Sequence, residues 1–394
     1  MTATPTDPGE AIATTLRALE GWGAARGWIG PDPYEGLNSA LGSLARGKRP
    51  RQAAIQLYKR LPTAPPWPLR APPRANAKVF GLVLSAYASA AGAQLPGAGR
   101  YRDELVERLR AMAPAGGPAA WGYHFDAQTR HLFYGREEPN AIATCFAVGG
   151  LCDLHERTGS ERAAALALAA RPYLLSLHRR DRAPGPFFTY VAAGSELIHN
   201  ANLLVCGALC RLHDLDPDAE TAEAVASAAT TTIALQGEDG MWAYGEAANL
   251  GWQDNFHIAY LLEGLCRTEA SFGIGAGALA GGTAAWLAAF IEADGWARYF
   301  PDRRYPLEPH CSASAIDLLC LLAARGDGGA VAVAERIAAC AIRELWIGAE
   351  NRFAFRRGSR GLNRREFMRW TNAPMFRALA ALESARTSDA GAAA

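Results

Sequence analysis

The chain has 394 residues, 50% of them hydrophobic and 20% charged, with 40 Lys+Arg against 39 Asp+Glu for a formal net charge of +1. That composition excludes a disordered or low-complexity chain, and the charge balance gives no global reason to expect a nucleic-acid partner. Length alone fits one large domain or two ordinary ones of about 100 to 200 residues.

The N-terminus, MTATPTDPGEAIATT, lacks a basic start followed by an apolar core, so no secretory signal is read there and a cytoplasmic location is expected. Residues 1–9 are expected to be disordered, residues 10–385 to form a single domain, and residues 386–394 to be a disordered tail. The proline-rich PTAPPWPLRAPPR (62–74) reads as a long loop inside that domain. From Asn76 onward one unit recurs, an aromatic loop leading to a polar anchor and then an apolar helix. The anchors are Asn76, Asn140, Asn200, Asn255, His310 and Asn372, separated by 64, 60, 55, 55 and 62 residues. Each interval holds two helices of about 15 residues and two loops. The second helices are expected at Tyr101–Met112, Ser160–Arg180, Ala219–Gln236, Thr283–Ala293 and Ala330–Trp346. Ser271 to Ile291 is uncharged and of membrane-spanning length, but its five glycines read as a loop followed by a buried helix. The eight cysteines lie mostly in apolar helical runs, and Cys206 and Cys210 stand four apart without a matching second pair, so neither disulfides nor zinc are expected.

Six helical hairpins with apolar inner helices predict an all-α fold, an (α/α)6 toroid, with an open superhelix of the same hairpins as the alternative. The repeat pattern resembles the (α/α)6-toroid superfamily, which includes six-hairpin glycosidases, polysaccharide lyases, sugar epimerases and the related terpenoid cyclases. The segments DPYEGLNSALGS and MWAYGEAANLGWQDNFHIAYLLEGL resemble motifs of proteins from bacterial polysaccharide-biosynthesis gene clusters. The resemblance implies a carbohydrate context and transfers no catalytic residues.

In a toroid all the aromatic loops emerge at one mouth, and their polar side chains converge there. The density of chemistry in YGEAANLGWQDNFH makes Glu246, Asp254, His257 and Tyr244 the catalytic candidates, as carboxylate acid and base or as a tyrosine and histidine exchanging a proton with a sugar carbon. Asn255, His199, Asn200, His310, Tyr190, Trp242, Asn140 and Arg369 are candidates for binding substrate. For the Asn anchors, helix capping is the structural alternative, and for Trp121, Trp242 and Trp296 it is sealing of adjacent hairpins. No GxSxG, HExxH, GxxxxGK[ST] or strand-linked GxGxxG motif is present, and no metal or cofactor is expected.

Charge adds a second expectation. Residues 46–78 carry nine Lys/Arg and no acid, and residues 352–377 carry eight Arg and one acid, Glu366. Ring closure is expected to bring Arg70 and Arg74 beside Arg364, Arg365 or Arg369 as one basic sector for an anionic sugar, sugar nucleotide or lipid-linked glycan. The functional expectation is therefore a carbohydrate-active enzyme working by epimerisation, elimination or hydrolysis. The alternatives are a terpenoid cyclase or prenyl-diphosphate enzyme and a noncatalytic glycan-binding scaffold.

Overall fold

The computed structural model describes residues 7–61, 64–130 and 132–392. In chain order the helices are α1 (Pro8–Ala24), α2 (Lys48–Arg60), α3 (Ala77–Ala88), α4 (Ala98–Met112), α5 (Ala141–Thr158), α6 (Glu161–Leu168), α7 (Arg171–Ser176), α8 (His199–Leu215), α9 (Ala219–Ala234), α10 (Asn255–Phe272), α11 (Ala276–Phe290), α12 (Pro309–Ala323), α13 (Ala330–Leu345) and α14 (Ala373–Ala392). Among the described residues none of them is long and apolar enough to cross a membrane.

Helices α3, α5, α8, α10, α12 and α14 pack side by side in that order, and α14 returns onto α3, so the inner ring closes. The fold is the (α/α)6 toroid and not an open superhelix. Each inner helix is followed by its outer partner, α4, α6 with α7, α9, α11 and α13 in turn. The sixth outer helix comes from the other end of the chain: α1 packs on α13 and α14. One hydrophobic core extends from Ile12 to Leu382.

Sequence explains the two layers. All twelve residues of α3 (AKVFGLVLSAYA) are buried, as an inner helix walled on both sides requires. The outer α4 buries Leu105, Val106 and Leu109 and turns its charged residues outward. Within the ring, α3 approaches α5 and α8 approaches α10 at glycines. A Cβ on Gly81 would stand 2.1 Å from the Phe146 carbonyl oxygen, and one on Gly264 would stand 2.2 Å from that of Leu203.

Short antiparallel strands build the loops between outer and inner helices. Three two-stranded ribbons pair β1 (Ala127–Gln128) with β2 (Phe133–Tyr134), β3 (His178–Arg179) with β4 (Phe187–Phe188), and β7 (Trp346–Ile347) with β8 (Arg352–Phe353). A four-stranded sheet has the order β10-β9-β6-β5, from β5 (Arg298–Phe300), β6 (Arg303–Leu307), β9 (Arg356–Gly358) and β10 (Gly361–Asn363). Polar residues early in the inner helices clamp these loops: Thr144 accepts from Trp121 N–H at 3.0 Å, Asn202 from Phe188 N–H at 2.8 Å, and Asn372 from Phe353 N–H at 2.9 Å. The indole N–H groups of Trp121, Trp242 and Trp296 donate to the carbonyls of Leu109, Thr232 and Arg304, which seals each loop in place.

Four expectations need correction. The second outer helix is interrupted between α6 and α7, because Pro172 has no N–H to give and its ring crowds the carbonyl one turn back. The fourth outer helix starts at Ala276, earlier than Thr283, and only Gly273 to Gly275 form the loop, with both glycines at positive φ. The chain after residue 385 continues as helix to Ala392, with Arg386 paired to Glu335 and Glu383; residues 393–394 lie outside the described residues. At the other end, α1 begins at Pro8, capped by Asp7, and residues 1–6 lie outside the described residues. The basic helix α2 was not anticipated at all. It buries only Ile55 and Tyr58 and overhangs the mouth of the ring.

Close packing at glycine makes a direct test. Gly81→Ala is expected to destabilise the protein by about 1–3 kcal/mol, because backbone must move to admit the Cβ. Gly99→Ala, where the Cβ meets nothing within 4 Å on the exposed side of α4, is expected to be neutral or to stabilise by up to about 1 kcal/mol. Urea unfolding of both variants measures the contrast.

Candidate active site

The N-terminal ends of the six inner helices meet at a funnel of about 950 Å³. Its wall is aromatic: Tyr34, Tyr123, Tyr134, Tyr190, Tyr244, Tyr260 and Tyr299 line it together with Trp252, Phe256 and Trp370. Tyr244 stacks on Trp252 with ring centroids 4.5 Å apart, and the Tyr123 and Tyr190 hydroxyls are 3.3 Å apart. Burial pushes the phenol pKa values of Tyr123, Tyr190, Tyr244 and Tyr260 upward, so these hydroxyls stay protonated.

Asp254 is the N-cap of α10. Its Oδ1 accepts the backbone N–H of His257 at 3.2 Å, while Oδ2 accepts His257 Nδ1–H at 2.7 Å and Trp252 Nε1–H at 3.2 Å. A carboxylate only accepts, so a proton sits on Nδ1, and in the neutral tautomer this selects, the lone pair is on Nε2. The His257 side chain is 23% exposed and lies between Tyr244 and Phe256.

His310, the second residue of α12, stacks on Trp370 at 4.4 Å and is buried. Its Nδ1–H donates to the Trp370 carbonyl at 3.1 Å, which leaves Nε2 to accept the Tyr260 hydroxyl proton at 3.1 Å. Burial first, then Lys78 and Arg369, hold its pKa well below 6.5, so the ring is neutral. Tyr260 stands one turn after His257 on α10, so the two imidazoles and one phenol occupy adjoining parts of the wall. Glu308 accepts from Trp370 Nε1–H at 2.7 Å and pairs with Arg356 at 3.0 Å.

The candidates from sequence divide in two. Asp254, His257, Tyr244, Asn200, His310, Tyr190 and Arg369 line the funnel, and Asn200 Oδ1 is buried there without a hydrogen-bond partner among the described residues. Glu246, His199, Asn255, Trp242 and Asn140 do not line it. Glu246 accepts from His199 Nε2 at 2.7 Å, and the other His199 nitrogen pairs with Thr232 at 3.1 Å. Asn255 donates to the Arg298 carbonyl at 2.9 Å and accepts from Trp286 at 3.3 Å, and Asn140 caps α5 through Ala143 N–H. For Asn140 and Trp242 the structural alternatives of capping and sealing describe the contacts. Sequence reading passed over Lys78, Tyr260, Trp252 and Trp370. Lys78 carried a usable signal, a charged residue inside an otherwise apolar inner helix.

The basic sector also needs correction. Arg364 pairs with Glu350, Arg352 with Glu350, Arg356 with Glu308, Arg357 with Glu344 and Arg369 with Asp32, while Arg365 donates to the Tyr58 carbonyl. Arg70 and Arg74 are exposed. Most of the second basic stretch is thus paired with individual acids. From the first stretch, Lys59, Arg60 and Lys78 line the funnel, joined by Arg130, and among the described residues none of these four has an ion pair. Arg130 lies over the Trp252 ring at 4.6 Å. Among the described residues, no group of three or more His, Cys, Asp or Glu is arranged to hold a metal.

No protein-family model and no curated protein sequence matches this chain. Solved structures with the same fold include cellobiose 2-epimerase from Spirochaeta thermophila, at 14% identity and TM-score 0.58 over 80% of this chain and 87% of that one. The GH76 α-mannanase of Bacteroides thetaiotaomicron matches at 12% identity and TM-score 0.61, covering 80% of this chain and 88% of the other. An unsaturated glucuronyl hydrolase specific for heparin matches at 12% identity and TM-score 0.58, over 97% and 98%.

Arg369 and Asp32 form a buried two-point ion pair across 337 positions, which fastens the segment before α2 to the turn before α14. Arg369→Met strands a buried carboxylate and is expected to cost about 3–5 kcal/mol. Asp32→Leu added to Arg369→Met is expected to recover part of that loss. Chemical denaturation of the single and double variants measures both, and equal stability of wild type and Arg369→Met would contradict the role.

Proposed function

We propose that the chain is a carbohydrate-active enzyme that moves a carbon-bound proton of an anionic sugar, with epimerisation next to a carbonyl as the favoured reaction. The observation that carries this reading is the Asp254–His257 pair in the funnel wall. An imidazole held at Nδ1 by a carboxylate presents Nε2 as a base, and the carboxylate stabilises the imidazolium that forms. The Tyr260–His310 pair, one turn deeper, is a second proton carrier for returning the proton. Sugar rings stack well on aromatic faces, and the Tyr244–Trp252 pair beside His257 offers one.

Hydrolysis is less well supported. It uses two carboxyl groups across the scissile bond, commonly with one kept protonated as the acid. Of the three carboxylates that line the funnel, Asp254 is committed to His257 and Trp252, Glu308 to Arg356 and Trp370, and Asp302 to Arg303. The known activities of the fold neighbours, sugar epimerase and glycan hydrolase, support a carbohydrate substrate in general.

Lys59, Arg60 and Arg130 at the funnel mouth have no ion pair among the described residues, and they favour a substrate carrying a carboxylate or phosphate. Epimerisation at the carbon beside the reducing-end carbonyl needs that carbonyl free. A sugar acid or sugar phosphate with an open reducing end therefore fits this chemistry better than a sugar nucleotide or lipid-linked glycan, whose anomeric carbon is substituted. The same cations favour a second reading, elimination from a uronate-containing glycan, in which they neutralise the charge developed beside the carboxylate.

The test is turnover of a panel of uronic acids, sugar phosphates and uronate oligosaccharides followed by NMR. His257→Ala is expected to lower kcat about 10²- to 10⁴-fold. Asp254→Asn is the sharper variant, because Asn caps a helix as well as Asp does and should preserve stability while releasing the imidazole tautomer. Glu246→Gln is expected to keep most of the activity, since that carboxylate lies off the funnel. Full activity of Asp254→Asn with unchanged melting would defeat the assignment.

A further inference from the structure

Three of the 40 basic residues in this chain are lysines, at positions 48, 59 and 78, and the rest are arginines. Lys78 is the buried one. It stands in the first turn of the wholly buried α3, is 2% exposed, and lines the funnel. Its Nζ lies 4.0 Å from the centroid of the Phe146 ring and 5.1 Å from that of Tyr260. Among the described residues it has no ion-pair partner, and the hydrogen bond at this residue is made by the backbone N–H to Asn76.

What a lysine offers in such a place, and an arginine does not, is an amine that can shed its proton and act as a nucleophile. Burial first, then the charges of Arg369 and Arg377, hold the Lys78 pKa well below 10.5, while Asp32 and Glu263 pull the other way. The two ring faces favour the ammonium only modestly. Lys59, by comparison, is half-exposed at the mouth beside Tyr34 and Trp370, and Lys48 is exposed on α2.

We propose that Lys78 captures the carbonyl of an open-chain sugar, its Nζ condensing with the aldehyde or ketone carbon to form a Schiff base. The inference rests on the reading of the funnel as a carbohydrate site. The nitrogen lone pair adds to the carbonyl carbon, one amine proton passes to the oxygen, and the resulting carbinolamine loses that oxygen with the second amine proton as one water. A C=N bond replaces the C=O bond and nothing is oxidised or reduced. The neighbouring C–H is then more acidic, because the electrons released when His257 takes the proton flow toward the imine nitrogen. Water hydrolyses the imine afterward and restores the amine.

The test uses the full chain with glyceraldehyde as the carbonyl probe and cyanoborohydride as the trapping reductant at neutral pH, with peptide mapping by mass spectrometry. Each unit by which an amine pKa falls raises its neutral fraction about tenfold, so the adduct on Lys78 is expected to exceed that on exposed Lys48 by about tenfold or more. Lys78→Arg, which keeps a cation and removes the amine, is expected to abolish that adduct and leave labelling of Lys48 unchanged. Labelling of Lys48 and Lys59 at or above the level of Lys78 would overturn the proposal. The two readings fail separately. Sugar turnover without a Lys78 adduct would overturn the amine's role alone, whereas a Lys78 adduct in a protein that turns over no sugar would support the amine and remove the carbohydrate reading.

Discussion

Closure of the inner ring, with α14 packed between α12 and α3 and roofed by α1, is the constraint on which the site depends. Only closure gives all six inner helices the same direction around one axis and brings their N-terminal ends to one funnel. Those ends carry the partial positive charge of the helix dipole, which complements an anionic ligand. Closure is also costly in packing terms. Backbones approach so closely at Gly81 and Gly264 that a methyl group has no room, and the ring tolerates little volume change there. The Arg369–Asp32 pair works in the same sense at the funnel wall, since it ties two ends of the chain that no local interaction could hold together.

Asp254 shows how local structure and chemistry coincide. One carboxylate accepts a backbone N–H in the first turn of α10 and fixes the His257 ring, so the residue that caps the helix also sets the tautomer. This is why the segment looked so dense in chemistry from its residues alone: a cap and a proton-transfer pair need the same Asp, three positions before the same His. Asn255, the repeat anchor, is the first residue of α10 and holds the next loop, while the cap is its neighbour Asp254. Asn76 and Asn140, by contrast, cap their helices in the way the capping alternative describes.

Repeated local features were legible because each hairpin writes them again, an aromatic loop, a polar anchor and an apolar helix. Pairings across long separations were not legible. Nothing in the spacing of the two basic stretches tells that Arg356 meets Glu308 or that Arg369 meets Asp32, because those acids come from elements that only the folded ring brings near. The same limit hid the role of α2, whose sequence is polar and basic and whose two buried side chains, Ile55 and Tyr58, are too few to mark a core helix. Lys78 is different in kind. A lysine in the first turn of an all-buried helix conflicts with the local pattern, and such conflicts gather at functional sites.

The central claim is that His257 and its Asp254 partner move a carbon-bound proton within the funnel, and solvent isotope tests it most directly. A sugar substrate turned over in deuterium oxide is predicted to yield an epimer with one deuterium at the carbon next to the carbonyl, with Asp254→Asn suppressing that exchange. A product with no carbon-bound deuterium, formed by cleavage with water-derived oxygen at the anomeric carbon, would contradict the account.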